Sequence, residues 1–176
     1  MASTTFTKLQ KRLRMEMKQL DDETDWIRYS YQPDSSITQM SIFMKGPEDT
    51  PYSNFWYEFT ISFQSKNNHQ SHGYPFLPPS IVFETRSVEH VNIMKTKGRI
   101  CLDILTKEWS PIYTLRTLFT SIRSLFAEPN PSSALNGNLA VMYSKHDNDY
   151  IEDYLRRQVE KYALTSNEVD RRCDVV

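Results

Sequence analysis

Apolar residues recur at helical spacing in two segments of the chain. In the first segment the residues on the apolar face are Phe6, Leu9, Leu13, Met17 and Leu20. In the second they are Leu115, Leu118, Phe119, Ile122, Leu125 and Phe126. The spacing predicts an amphipathic first helix whose other face is basic, and a later helix with one side in the core.

Strand-like segments lie between these helices. They are rich in aromatic and β-branched residues and cover 26–31, 37–45 and 56–63, with a shorter segment at 80–84. Turn-forming sequences, Pro33-Asp34-Ser35 and Gly46-Pro47, separate the first three, so we expect an antiparallel meander.

Two more helices are predicted after the second apolar segment, at about 136–145 and 147–163, with Asp147 as an N-cap. The complete pattern predicts an α+β fold. It consists of a four-stranded antiparallel meander sheet, an N-terminal helix, a central helix across one sheet face, and C-terminal helices.

Length, charge and cysteine content limit the classes of function that the chain is expected to have. The 176 residues suit one domain, which we place at 1–164, followed by a flexible tail at 165–176. A net charge of −1 gives no reason to expect nucleic acid, and no apolar run is long enough to cross a membrane. With only two cysteines we expect no disulfide scaffold and a reducing compartment, the cytoplasm or the nucleus. His69 and His72 are weak grounds for a metal, so no metal or cofactor is predicted.

Cys101 is the candidate nucleophile. It follows a polar stretch with Gly98 and precedes apolar residues, which predicts a sulfur at the edge of the core. A free thiol with a pKa near ~8.5 supplies a few per cent thiolate at neutral pH, enough to attack an activated acyl group. The alternative is a cysteine that only fills space, because free cysteine is among the most buried residue types.

The motifs around Cys101 favour a catalytic cysteine over one that only fills space. His90-Val91-Asn92-Ile93, the run from Gly98 to Leu105 and Trp109-Ser110-Pro111 resemble the active-site segment of the ubiquitin-conjugating enzymes. These enzymes carry ubiquitin or a relative as a thioester and pass it to a lysine. Residues 45–52, 74–79 and 128–131 resemble three more motifs of the family in the same order. The resemblance implies the UBC-like form of the predicted fold.

The resemblance also implies roles near Cys101. Asn92 matches an asparagine credited with stabilising the oxyanion or supporting the active-site loop, and both roles can coexist. Ser133 falls at a gate position and is expected to align the incoming lysine, while Asp103 is the nearest acid in sequence. Val91 replaces the usual proline, and the segment from His90 to Cys101 is one residue longer than the pattern, which predicts a bulge at 94–97. His90 is expected to hold the loop.

Two surfaces match partner-binding regions of the family. Phe76, Ser110, Pro111 and Ile112 resemble the surface that binds RING-type ligases, although Phe76 packing inward is an alternative. Lys8, Lys11 and Arg12 are candidates for steering the activating enzyme, although a solvated outer face explains them equally well. The implied partners are ubiquitin or a ubiquitin-like modifier, the activating enzyme, a RING-type ligase and protein substrates.

Within the family, Arg116-Thr117-Leu118, Lys11-Arg12-Leu13 and residues 163–167 are similar to the member dedicated to the anaphase-promoting complex. The predicted function is an active conjugating enzyme for ubiquitin. The alternatives are a conjugating enzyme for another modifier, a catalytically silent binding module of the same fold, and a cysteine hydrolase. Cys101 argues against the silent module, and the lack of a flanking Cys-His signature argues against the hydrolase.

Overall fold

The structure is a computed structural model that describes residues 2–23, 25–31, 38–64 and 73–173, with side chains from residue 8 onward. In chain order the elements are α1 (Ala2–Asp21), β1 (Ile27–Ser30), β2 (Gln39–Lys45), β3 (Trp56–Ser62), β4 (Ser80–Phe83), α2 (Leu115–Ala127), α3 (Gly137–Lys145), α4 (Asn148–Tyr162) and α5 (Ser166–Cys173). Two single turns of 3-10 helix, Asp103–Leu105 and Pro131–Ser133, lie on either side of α2.

The four strands form one antiparallel meander in the order β1-β2-β3-β4, as the sequence predicts. Ile42, Phe59 and Phe83 lie side by side on the inner face, where every second residue of a strand points. The Phe59 ring meets Phe119 of α2 edge to face, with 5.4 Å between ring centroids. The central helix therefore crosses this face and completes the predicted α+β core.

Side-chain caps set where the helices begin. The Thr114 hydroxyl accepts a hydrogen bond from the Thr117 N–H at the start of α2, and the Asn136 side chain accepts one from the Leu139 N–H at the start of α3. The Asp147 carboxylate accepts one from the Tyr150 N–H at 2.9 Å, which confirms this residue as the N-cap of α4.

The C-terminal segment differs from the predicted flexible tail, because residues 166–173 form α5 on the outer face of the sheet. Val169 is completely buried between Phe43 and Trp56, whose side chains lie on that outer face. Ion pairs of Arg28 with Asp170 and of Arg172 with Glu58 join the helix to the strands. Tertiary contacts thus order a segment whose own sequence has little apolar surface.

Some predictions concern residues outside the described ranges: the turn at 33–35, Ile37, most of the polar loop at 64–73 with His69 and His72, and residues 174–176. Among the described residues, no helix is both long enough and apolar enough to cross a lipid bilayer.

Candidate active site

Cys101 follows a small hairpin formed by residues 93–100. Ile93 and Ile100 form a β-bridge, and the Met94 N–H donates to the Arg99 carbonyl at 2.8 Å. The turn closes where the Gly98 N–H donates to the Met94 carbonyl at 2.7 Å, so the predicted bulge is an ordered turn. The Cys101 N–H donates to the Asn92 carbonyl at 2.9 Å, and the residue is partly exposed, at the rim of the core.

Gly98 joins this hairpin to the sheet. It has φ 63°, in the left-handed region, and its carbonyl accepts the Phe83 N–H at 2.9 Å. A Cβ at this position would lie 2.2 Å from the Phe83 carbonyl oxygen. Only glycine permits this approach, which anchors the hairpin before Cys101 to the last residue of β4.

Asn92 is 1% exposed and its side chain is fully engaged by the loop that follows α2. Its amide nitrogen donates to the Asn130 carbonyl at 2.7 Å and to the Ser133 carbonyl at 3.0 Å. Its amide oxygen accepts the Asn130 N–H at 2.8 Å. We predicted that the Asn92 side-chain amide could donate to the acyl oxygen of a thioester on Cys101. The structure does not show this orientation, because backbone carbonyls accept both amide protons. The loop-supporting role, the other role proposed for this residue, is the one observed.

His90 is buried and holds the same region together. Its Nδ1 accepts the Asn92 N–H at 3.1 Å, which leaves Nε2 as the donor to the Leu125 carbonyl at 3.2 Å. Its ring stacks on Phe126 with 4.6 Å between centroids. Burial lowers the pKa of His90 to about 4, so the ring is neutral at physiological pH. Both nitrogens are occupied within the fold, which confirms the predicted structural role.

Ser133 and Asp103 are both exposed, on separate 3-10 turns. Ser133 belongs to the loop that Asn92 holds, and its N–H donates to the Asn130 carbonyl at 3.1 Å. The Asp103 side chain is 65% exposed and pairs with Lys107 at 3.2 Å between Oδ2 and Nζ. Since Lys107 compensates its charge, Asp103 attracts an incoming amine less strongly than an isolated carboxylate would.

The predicted ligase-binding residues form an exposed apolar surface on two adjacent loops. Phe76 is 62% exposed and Ile112 is 78% exposed, which excludes the inward-packing alternative for Phe76. Pro111 is also exposed, whereas Ser110 is only partly so. The two loops are joined because the Trp109 Nε1–H donates to the Pro75 carbonyl at 3.0 Å.

The three candidate cations of α1 are in different situations. Lys8 and Lys11 are exposed, as the prediction requires. Arg12 instead forms an ion pair with Glu16 and donates to the Tyr113 carbonyl at 3.0 Å. Its guanidinium is thus committed to the junction between α1 and the start of α2, so the steering role predicted for Arg12 is not supported.

Sequence reasoning missed two buried carboxylates. Glu16 is 2% exposed and accepts hydrogen bonds from the Tyr74 hydroxyl at 2.7 Å and the Leu115 N–H at 2.8 Å. Glu89, next to His90, is 8% exposed and contacts Lys95 and Asn136. A signal existed for Glu16, because it lies on the apolar face of α1, three residues after Leu13. No comparable pattern marks Glu89.

Comparison with known proteins identifies the family. Residues 12–158 match the family model described as ubiquitin-conjugating enzyme. The chain is 35% identical over 144 residues to ubiquitin-conjugating enzyme E2 3 of Arabidopsis thaliana, covering 82% of this chain and 90% of that protein. It is 34% identical over 151 residues to ubiquitin-conjugating enzyme E2-20 kDa of Schizosaccharomyces pombe, covering 85% of this chain and 81% of that one.

A solved structure agrees. The crystal structure of a candidate ubiquitin-conjugating enzyme from Plasmodium yoelii superimposes with a TM-score of 0.74 at 31% identity, covering 87% of this chain and 94% of the other. Residues 12–158, which match the family model, include the meander sheet, the central helix and the partly exposed Cys101. This chain belongs to the ubiquitin-conjugating enzyme family.

Proposed function

We propose that this protein accepts ubiquitin as a thioester on Cys101 from an activating enzyme and transfers it to a substrate lysine with a RING-type ligase. The observation that carries the proposal is the partly exposed Cys101, which directly follows an ordered hairpin. A thiol in this position is reachable by a protein-sized acyl donor, and its backbone N–H is held by Asn92.

The proposed reaction has two acyl transfers. The Cys101 thiolate attacks the thioester carbonyl on the activating enzyme, a new C–S bond forms, and the activating enzyme's thiolate leaves. A neutral lysine amine then attacks the Cys101 thioester, a C–N bond forms, and Cys101 leaves as a thiolate. The amine proton passes to solvent or to the departing sulfur. His90 takes no part as a base, because its ring is buried and both nitrogens are hydrogen-bonded.

Positioning supports the second transfer. Ser133 is exposed on the turn that Asn92 holds, and we propose that its hydroxyl aligns the lysine that approaches Cys101. Alignment of two reactants supplies much of the rate gain when the acyl group is already activated. Ser133 thus contributes geometry, and Asp103, paired with Lys107, contributes little charge.

A loading assay tests the proposal. The protein is mixed with a ubiquitin-activating enzyme, ATP and ubiquitin, and the products are separated with and without reducing agent. The expected product is an adduct that reducing agent removes, that Cys101→Ala abolishes and that Cys173→Ser leaves unchanged. Cys101→Ser should give an oxyester that resists reduction. Absence of a Cys101-dependent adduct would refute the proposal.

The second candidate is transfer of a different ubiquitin-like modifier, which the same fold and the same cysteine support equally well. Parallel loading reactions with each modifier and its own activating enzyme distinguish the two. A hydrolase would instead cleave a preformed conjugate without ATP, and the neutral, fully bonded His90 argues against this outcome.

A further inference from the structure

Glu89 places a buried carboxylate between two segments that flank Cys101. One oxygen forms an ion pair with Lys95, in the turn of the 93–100 hairpin. The other accepts a hydrogen bond from the Asn136 side-chain amide at 3.0 Å. The carboxylate is only 8% exposed, so these two partners largely replace water around it.

The backbone of Glu89 is itself fixed. Its N–H donates to the Gln158 Oε1 of α4 at 2.9 Å, and its carbonyl accepts the hydroxyl of Tyr52, a fully buried residue, at 3.0 Å. These two hydrogen bonds fix the backbone of Glu89 relative to the core. A segment that binds the Glu89 carboxylate is therefore positioned relative to the core as well.

Lys95, the first partner of the Glu89 carboxylate, links it to the hairpin turn that precedes Cys101. The side chain of Lys95 is 57% exposed, and its hydrogen bond to Glu89 raises the pKa of the ammonium group. The segment from His90 to Cys101 is one residue longer than the pattern it resembles, and Val91 stands where that pattern has a proline. The ion pair adds a contact with the core to a turn that is also closed by local backbone hydrogen bonds.

Asn136, the second partner of the Glu89 carboxylate, precedes α3 in the chain. Its N–H donates to the Val91 carbonyl at 3.0 Å, and its side-chain oxygen caps α3. It lies three residues after Ser133, in the segment that leads from the Pro131–Ser133 turn into α3. One carboxylate therefore contacts the hairpin that ends at Cys101 and the segment that carries Ser133.

We infer that Glu89 is a positioning residue, which acts through Lys95 and Asn136 to fix the separation between Cys101 and the 130–136 segment. The inference rests on the proposed function, because the fixed separation matters only when a lysine must meet the thioester in one geometry. A misplacement of about 1 Å can cost such a reaction about 100-fold. Loading is less demanding, since the activating enzyme can itself orient its thioester toward the partly exposed Cys101.

The test uses Lys95→Met, with Lys97→Met as the matched control. Lys97 is an exposed lysine in the same turn. Every variant, and the parent used for comparison, also carries Cys173→Ser so that Cys101 is the only thiol. Preloaded enzyme is discharged onto free lysine over a range of lysine concentrations. We expect the maximal discharge rate of Lys95→Met to fall about tenfold and loading to change less than about twofold. Lys95→Arg should recover most of the discharge rate, and Lys97→Met should match the parent.

Two results would overturn the inference: equal maximal discharge rates for Lys95→Met and Lys97→Met, or an equal fall in loading and discharge. A second measurement needs no modifier. The rate at which an aromatic disulfide reagent labels Cys101 should rise about threefold in Lys95→Met, because the hairpin opens more often. An unchanged labelling rate also overturns the inference. If the parent protein accepts no modifier at all, the proposed function fails, and the labelling rates still decide whether Glu89 positions the hairpin.

Discussion

The side-chain amide of Asn92 donates to the carbonyl oxygen of Ser133 at 3.0 Å, while the Asn92 carbonyl accepts the Cys101 N–H at 2.9 Å. One residue thus joins the backbone of Cys101 to the 3-10 turn that carries Ser133. To bind a developing oxyanion, Asn92 must first give up one of its two carbonyl partners. Its loop contacts and any catalytic contact therefore compete for the same protons.

Replacement of Asn92 by aspartate keeps the shape of the side chain and removes both donors. The new carboxylate would face the Asn130 and Ser133 carbonyls without a proton to share. We expect the free energy of unfolding to fall by roughly 1–3 kcal/mol and discharge onto lysine to slow. Urea unfolding measures the first effect, with exposed Asn138→Asp as the control. A variant with parental stability would contradict the loop contacts described above.

Substitution of Phe76 tests the proposed ligase surface. Phe76→Ala removes an exposed aromatic ring from that surface, and interfaces depend strongly on such residues. Ligase-stimulated discharge should fall about tenfold or more, while loading by the activating enzyme stays nearly unchanged. Val141→Ala, which shortens an exposed side chain on α3, is the control. An equal loss of loading would mean that Phe76 serves the fold.

The stability of the protein should depend on pH through His90. The pKa of His90 is lowered to about 4 in the fold, against about 6.5 in the unfolded chain, so the unfolded state binds the additional proton between these values. The stabilisation is complete above about pH 6.5 and is lost as the pH falls through about 4, up to ~3 kcal/mol. Urea unfolding from pH 7 to 4 measures it. His90→Gln, which keeps a donor and an acceptor, should flatten this part of the curve, and an unchanged curve would refute the assignment.

Val169 tests whether α5 is part of the folded unit. Val169→Ala removes two methyl groups from a completely buried site against Phe43 and Trp56, and should lower the free energy of unfolding by roughly 1.5–3 kcal/mol. Val141→Ala, the same change at an exposed position, should cost less than about 0.5 kcal/mol. Thermal unfolding measures both. Equal effects would show that α5 contributes nothing to the packing of the sheet.

The fold was largely predictable because its elements have strong local signals. The apolar spacing of α2, the aromatic and β-branched content of β3 and the cap at Asp147 each arise from neighbours in sequence, and the structure confirms the elements they predict. The helix α5 was missed because its only buried residue among polar neighbours is Val169. Its order depends on partners such as Arg28 and Glu58, more than 100 positions earlier.

The site was predictable only in part. A motif identifies Cys101 and Asn92, and exposure of Phe76 follows from its place in a proline-rich loop. The direction of the Asn92 amide is set by carbonyls at 130 and 133, which sequence spacing does not place. The contacts of Glu89 are equally long-range in the chain, because Asn136 and Gln158 come from later elements. Buried polar networks of this kind depend on tertiary geometry.

Glu16 ties three parts of the molecule together, since its carboxylate meets Arg12 within α1, Tyr74 before the Phe76 loop, and the first N–H of α2. The basic helix and the apolar loops proposed to meet different proteins are therefore faces of a single rigid block. A protein bound at one face would leave the spacing between the two faces unchanged, because one carboxylate sets that spacing for both.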